Sequence, residues 1–80
     1  MRLDKFLKVS RIIKRRTVAN EACDHEHVTV NGRNAKASYD VKENDILELT
    51  FGERKLKVKV LSVKEHAAKA EAASMYEVLT

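Results

Sequence analysis

Residues 46–63 read Ile46-Leu47-Glu48-Leu49-Thr50-Phe51-Gly52-Glu53-Arg54-Lys55-Leu56-Lys57-Val58-Lys59-Val60-Leu61-Ser62-Val63. Ile46–Phe51 is a predicted strand, stopped by Gly52-Glu53-Arg54. From Lys55 the chain alternates charged and apolar residues, which gives a second strand one buried and one wet face. Upstream, His27-Val28-Thr29-Val30 alternates with the same period and runs into Asn31-Gly32, a strong turn dipeptide. Ala35–Ala37 is expected to be the short return strand. Downstream, residues 65–74 are alanine-rich and predict a short helix, and Tyr76-Glu77-Val78-Leu79 predicts a last strand.

Toward the N-terminus the period changes. Leu3, Phe6 and Leu7 fall at i, i+3, i+4, an amphipathic turn whose other side carries Arg2, Lys5 and Lys8. Val9-Ser10 breaks this helix, and Ile12 and Ile13 anchor the connection. A second helix is expected from about Arg15 to Asp24, with Val18, Ala19, Ala22 and Cys23 as its apolar stripe and Asn20, Glu21 and Asp24 opposite. The expected fold class is α+β: two N-terminal helices packed on a small, twisted, mainly antiparallel sheet.

Eighty residues without proline, with two glycines and no internal repeat, make one domain spanning 1–80. The lone cysteine excludes an internal disulfide and fits a reducing compartment. No apolar run approaches the roughly 20 residues that span a bilayer, and the charged N-terminus does not resemble a signal peptide. A cytoplasmic protein with no membrane partner is expected.

The net charge of +4 is unevenly spread. Residues 1–16 hold seven bases, Arg2, Lys5, Lys8, Arg11, Lys14, Arg15 and Arg16, against the single acid Asp4, so the remainder of the chain is net negative by two. A basic edge on a near-neutral scaffold is the footprint of a polyanion-binding protein. Four of the seven bases are arginines, whose planar fork matches phosphate. Lys14–Arg16 stand at the start of the second helix, where free N–H groups and the dipole already favour anions. The alternative is a solvated basic helix face. Asp4 is open to two readings: it orients Arg2 or Arg16 by a charge-assisted bond, or it is an acid suited to the first turn of a helix.

Other chemistries find little support. Cys23-x-His25-x-His27 offers at most three metal ligands, with His66 or a carboxylate needed as the fourth. No Ser/His/Asp or Cys/His arrangement and no paired carboxylates point to catalysis, so no enzyme activity, metal or cofactor is expected. Tyr39, Phe51 and Tyr76 are too sparse for base-stacking platforms, which leaves recognition of folded RNA by shape and phosphate.

The order of these pieces resembles a known family. Arg2-Leu3-Asp4-Lys5-Phe6-Leu7, Ser10-Arg11, Lys14-Arg15-Arg16, Ala19 and Val28-Thr29-Val30-Asn31-Gly32 are similar to the S-four (alpha-L) RNA-binding domain. Ala37-Ser38, Asp40-Val41 and Asp45-Ile46-Leu47 continue the pattern, so the resemblance covers about residues 2–50. The opening Met1–Arg11 and the ending Glu71-Ala72-Ala73-Ser74-Met75-Tyr76 extend it to the stand-alone bacterial branch that acts in ribosome-associated quality control. The resemblance implies a protein that binds large-subunit ribosomal RNA and peptidyl-tRNA and assists a ribosome-bound alanine-tailing factor; a monomer is expected. It marks Arg16 as the foremost RNA contact; the charge cluster makes Arg2, Lys5, Lys8, Arg11, Lys14 and Arg15 weaker candidates, each of which either meets phosphate or only enriches the field. Relatives of heat-shock protein fifteen, which recycle obstructed subunits, carry a longer basic C-terminal extension. Ending at Thr80 favours the first branch, and starting at Met1 with a final strand argues against a piece of an RNA-modifying enzyme. A protein–protein adaptor with an acidic partner is the remaining alternative.

The chain departs from the family twice. The glycine expected two residues before Val28, at a left-handed helix end, is Glu26, and the glycine before Asp45 is Asn44, a residue tolerant of positive φ.

Overall fold

The computed structural model describes residues 1–65 and 67–79. His66, weighed above as a metal ligand, lies outside the described residues, as does Thr80. Two helices come first, α1 (Leu3–Val9) and α2 (Arg16–Asp24). Then follow β1 (Val28–Val30), β2 (Arg33–Asn34), β3 (Ile46–Phe51) and β4 (Arg54–Val60). One helical turn, α3 (Lys69–Ala72), passes into a 3-10 turn (Ala73–Met75) and ends on β5 (Tyr76–Val78). The five strands form one antiparallel sheet in the order β2-β1-β3-β4-β5. This is the α+β architecture expected from the sequence.

The core lies between the two helices and one face of the sheet. Leu3, Phe6 and Leu7 of α1 are fully buried, facing the inward residues Val28, Leu47, Leu49, Val58 and Val60. Each such side chain contributes about 1.5–3 kcal/mol by leaving water. Ile13 is buried and anchors the α1–α2 connection. In α2 the apolar stripe is narrower than expected: Ala19 and Cys23 are buried, but Val18 is 47 % exposed. A helix of nine residues packed chiefly through one i, i+4 row leaves the position one residue before that row turned toward solvent.

The hairpin corrects a second expectation. Asn31 and Gly32 have φ of 53° and 84°, as a type I′ turn requires. Such a tight turn puts Arg33 directly opposite Val30, so the return strand is Arg33–Asn34 and Ala35–Ala37 is loop. That loop turns away to cover the start of α1. The amide of Leu3 donates to the Tyr39 carbonyl at 2.8 Å and that of Asp4 to the Ala37 carbonyl at 3.2 Å. These are N–H groups with no partner inside the helix, and the side chain of the cap residue Arg2 does not cap them.

β4 stops at Val60 rather than Val63, because Leu61 and Ser62 both donate to the Met75 carbonyl (2.8 and 3.2 Å). Through these bonds, and through buried Ala72 and Met75, the C-terminal segment is held against the body of the protein.

Both helices end on a left-handed charged residue. Glu26, with φ of 62°, follows α2 as expected, and the amides of Glu26 and His27 donate to Cys23 and Ala22 at 3.1 and 2.9 Å, a Schellman closure. Arg11, φ 63°, follows α1, its amide donating to Lys8 at 3.0 Å while the Leu7 carbonyl accepts from Ile13, also at 3.0 Å. Asn44 also has a positive φ, of 75°, as anticipated.

Candidate nucleic-acid interface

The basic edge is built around a buried acid. Asp4 lies in the first turn of α1 with its side chain 3 % exposed. Arg2 grips it with two bonds, Nε to Oδ1 at 3.1 Å and a terminal guanidinium nitrogen to Oδ2 at 3.3 Å. From α2, Arg16 Nε stands 3.4 Å from Oδ2, and Asn20 Nδ2 donates to the same oxygen at 3.2 Å. The amide of Lys5 donates to Oδ1 at 2.8 Å. Both readings of Asp4 therefore hold together: it suits the helix start and it holds both arginines.

Burial works against the charged form of Asp4, but the hydrogen bonds from Arg2, Asn20 and Arg16 prevail and lower its pKa to about 2. The hydrogen bond and charge of Asp4 in turn raise the pKa of Arg2. One buried negative charge thus fixes two guanidinium groups whose side chains remain 50 % and 47 % exposed. The pair carries net positive charge in a set orientation, suited to a phosphate oxygen.

The sequence marks Asn20 only as part of the polar side of α2. Its spacing from Arg16, i and i+4, was the available signal that the two share a face. Met1 secures the entrance to α1, its ammonium donating to Asp40 at 2.6 Å and holding the pKa of that exposed carboxyl down.

The other predicted cations do not join the Asp4 cluster. Lys8, Arg11, Lys14 and Arg15 are exposed. Lys5 is half-buried and forms an ion pair with Glu65, which ties it to the C-terminal segment. Lys8, Arg11 and Lys14 border a groove whose far wall is that segment.

The Cys23-x-His25-x-His27 stretch is spread between core and solvent. Cys23 is buried, and burial followed by the charges of Asp4 and Asp24 pushes its thiol pKa up to about 11. His25 and His27 are exposed, with rings edge to face at 6.3 Å. No group of three metal-ligating side chains occurs among the described residues. No helix among them is long and apolar enough to cross a membrane.

Comparison with known proteins fits this geometry. The S4 domain family matches residues 1–47. The "RQC P-site tRNA stabilizing factor" of Streptococcus pneumoniae (strain ATCC BAA-255 / R6) is 56 % identical over 80 residues, which are 100 % of this chain and 91 % of that protein. The protein of the same name from Bacillus subtilis (strain 168) is 53 % identical over 79 residues, 99 % of this chain and 92 % of its own length. Among solved structures, the trimeric Heat Shock Protein 15 of Vibrio cholerae superposes with a TM-score of 0.90 at 26 % identity, over 98 % of this chain and 80 % of that one. The solution structure of hypothetical protein HP1423 gives a TM-score of 0.84 at 29 % identity, over 100 % of this chain and 98 % of that one.

Proposed function

Since the chain belongs to the S4 domain family and aligns over its whole length with RQC P-site tRNA stabilizing factors, we propose that it binds the large ribosomal subunit and stabilises the P-site tRNA there during ribosome quality control. Large-subunit ribosomal RNA and peptidyl-tRNA are its partners, and an alanine-tailing factor works on the complex it steadies. It acts by binding alone and catalyses no reaction. The observation that carries this reading is the full-length identity of 56 %. Heat Shock Protein 15, although close in fold, is 26 % identical.

The basic edge supplies a physical means. Phosphates of a folded RNA meet Arg2 and Arg16, already oriented by Asp4, so little side-chain entropy is lost on binding. Lys8, Arg11, Lys14 and Arg15 enlarge the attractive field and add contacts of their own, while Lys5 acts mainly through its pairing with Glu65.

The decisive variant is Arg16→Ala. Arg16 stands 3.4 Å from the buried Asp4 carboxylate, which keeps its bonds from Arg2, Asn20 and the Lys5 amide. Removing the half-exposed guanidinium therefore costs about 0.5–1 kcal/mol of stability, whereas losing a hydrogen bond to a charged group costs about 1.5–3 kcal/mol of binding, roughly ten- to a hundredfold. Arg16→Ala is expected to keep its circular dichroism and to melt only modestly below the parent while co-sedimentation with peptidyl-tRNA-bearing large subunits collapses. Lys57→Ala, on the outer face of the sheet opposite Glu48, should bind like the parent. Equal binding by the two variants would remove the helical face as the RNA surface.

A further inference from the structure

The groove beside α1 is separate from the Arg2–Asp4–Arg16 cluster and draws on a part of the chain outside residues 1–47. It encloses about 580 Å³ and is lined by Lys8, Val9, Arg11, Lys14, Glu65, Ala67 and Lys69. Four cations face one acid, and that acid is ion-paired with Lys5. We infer that this groove is a second phosphate subsite, in which Arg11 and Lys69 grip the RNA backbone from opposite walls. The inference rests on the RNA-binding reading above and extends it to the C-terminal segment.

Three observations carry it. The first is the backbone of Arg11. Its φ of 63° places a long L side chain where glycine is the least strained residue. Nothing in the closure of α1 needs a side chain there, because the closing bond to Lys8 comes from the Arg11 amide. A side chain kept at a conformational cost, exposed on the lip of a basic groove, is a sign of use.

The second is the placement of Lys69. It opens α3, and α3 is fixed by buried Ala72 and by the adjoining Met75, whose carbonyl accepts from Leu61 and Ser62. Lys69 is therefore presented by a docked element and lines the same groove as Lys8 and Arg11.

The third is the lining. The groove shares no residue with the cleft beside Asp4 and Arg16, which is bordered by Thr17, Asn20 and Glu21. Among the described residues no aromatic side chain lines the groove, so it suits the sugar-phosphate strand.

The test compares Arg11→Gly, Lys69→Ala and Arg16→Ala in co-sedimentation with large subunits carrying peptidyl-tRNA, over a series of salt concentrations, beside thermal melting. Arg11→Gly is expected to melt at or above the parent temperature yet bind roughly tenfold more weakly; a purely structural arginine would not move the two in opposite directions. Lys69→Ala should weaken binding severalfold and flatten the salt slope by about one. Inorganic phosphate at millimolar concentration should compete only weakly, which separates an RNA strand from a free-anion site; full competition would overturn the RNA assignment. If Arg16→Ala loses binding while both groove variants bind as the parent does, the groove is not a subsite and the RNA-binding reading survives. If the parent itself does not bind, both fall. Should Arg11→Gly lose stability as well as affinity, Lys69→Ala decides: parental affinity and slope would overturn the subsite, and a reduced slope would sustain it.

Discussion

Asp4 shows how much one side chain can organise. It accepts from residues on both helices, and its folded pKa of about 2 lies below the ordinary value of 3.8. A group whose pKa is depressed on folding contributes stability above its unfolded pKa and loses it as pH falls through the folded one. The contribution of Asp4 is therefore complete above about pH 5 and declines toward pH 2. Its size is on the order of 1–2 kcal/mol once the screening of half-exposed arginines is allowed for. Asp40 adds a dependence of the same sign through the N-terminal ammonium, so the informative quantity is the difference between parent and Asp4→Asn. Urea unfolding at pH 6 and pH 2.5 should show a smaller acid-induced loss in Asp4→Asn than in the parent. An equal loss would mean that Asp4 is not the titrating group. The variant should also bind RNA more weakly at neutral pH, its arginines being no longer held.

The elements are fixed as much by how they end as by how they run. α2 needs a left-handed residue to turn its chain into β1, and Glu26 fills that place with φ of 62°. Glycine suits it better by roughly 0.5–1 kcal/mol. Glu26→Gly is accordingly expected to raise the midpoint of thermal or urea denaturation while leaving RNA binding unchanged, since Glu26 lies at the opposite end of α2 from Arg16. A lowered midpoint would show that the glutamate side chain makes up for its backbone cost. A second junction is tied by side chains. Asp45 accepts from Asn31, Tyr39 and the Lys42 amide at 3.1, 3.1 and 2.9 Å, and the Ile46 amide donates to Asn31 Oδ1 at 2.9 Å. These bonds pin the β1–β2 turn to the start of β3.

At the scale of the molecule the basic edge and the sheet divide the labour. The sheet and its apolar face supply stability, and the helical edge supplies charge. Neutralising about four phosphates releases as many counterions, so log K for large subunits should fall against log salt with a slope of roughly −3 to −4. A titration at 50–300 mM salt measures it. A flat dependence would be incompatible with phosphate contacts at Arg2, Arg16 and the groove.

The amino-acid sequence by itself determined the two N-terminal helices, strands β1, β3 and β5 and the crowding of positive charge into residues 1–16, while the left-handed sites at Glu26 and Asn44 came with the family resemblance. These depend on period, turn chemistry and local sterics, which are set within a few residues. It also carried the family resemblance, because the motif residues keep their order and spacing. Tertiary structure alone decided that Asn20 joins Arg16 on Asp4, that Val18 faces solvent, that Lys5 pairs with Glu65 and that Lys69 lines one groove with Arg11. Each of these follows from how separate elements pack against one another, α2 on α1 or residues 65–69 beside the end of α1. That placement depends on burying the shared apolar surface of the whole chain, a quantity no local window contains.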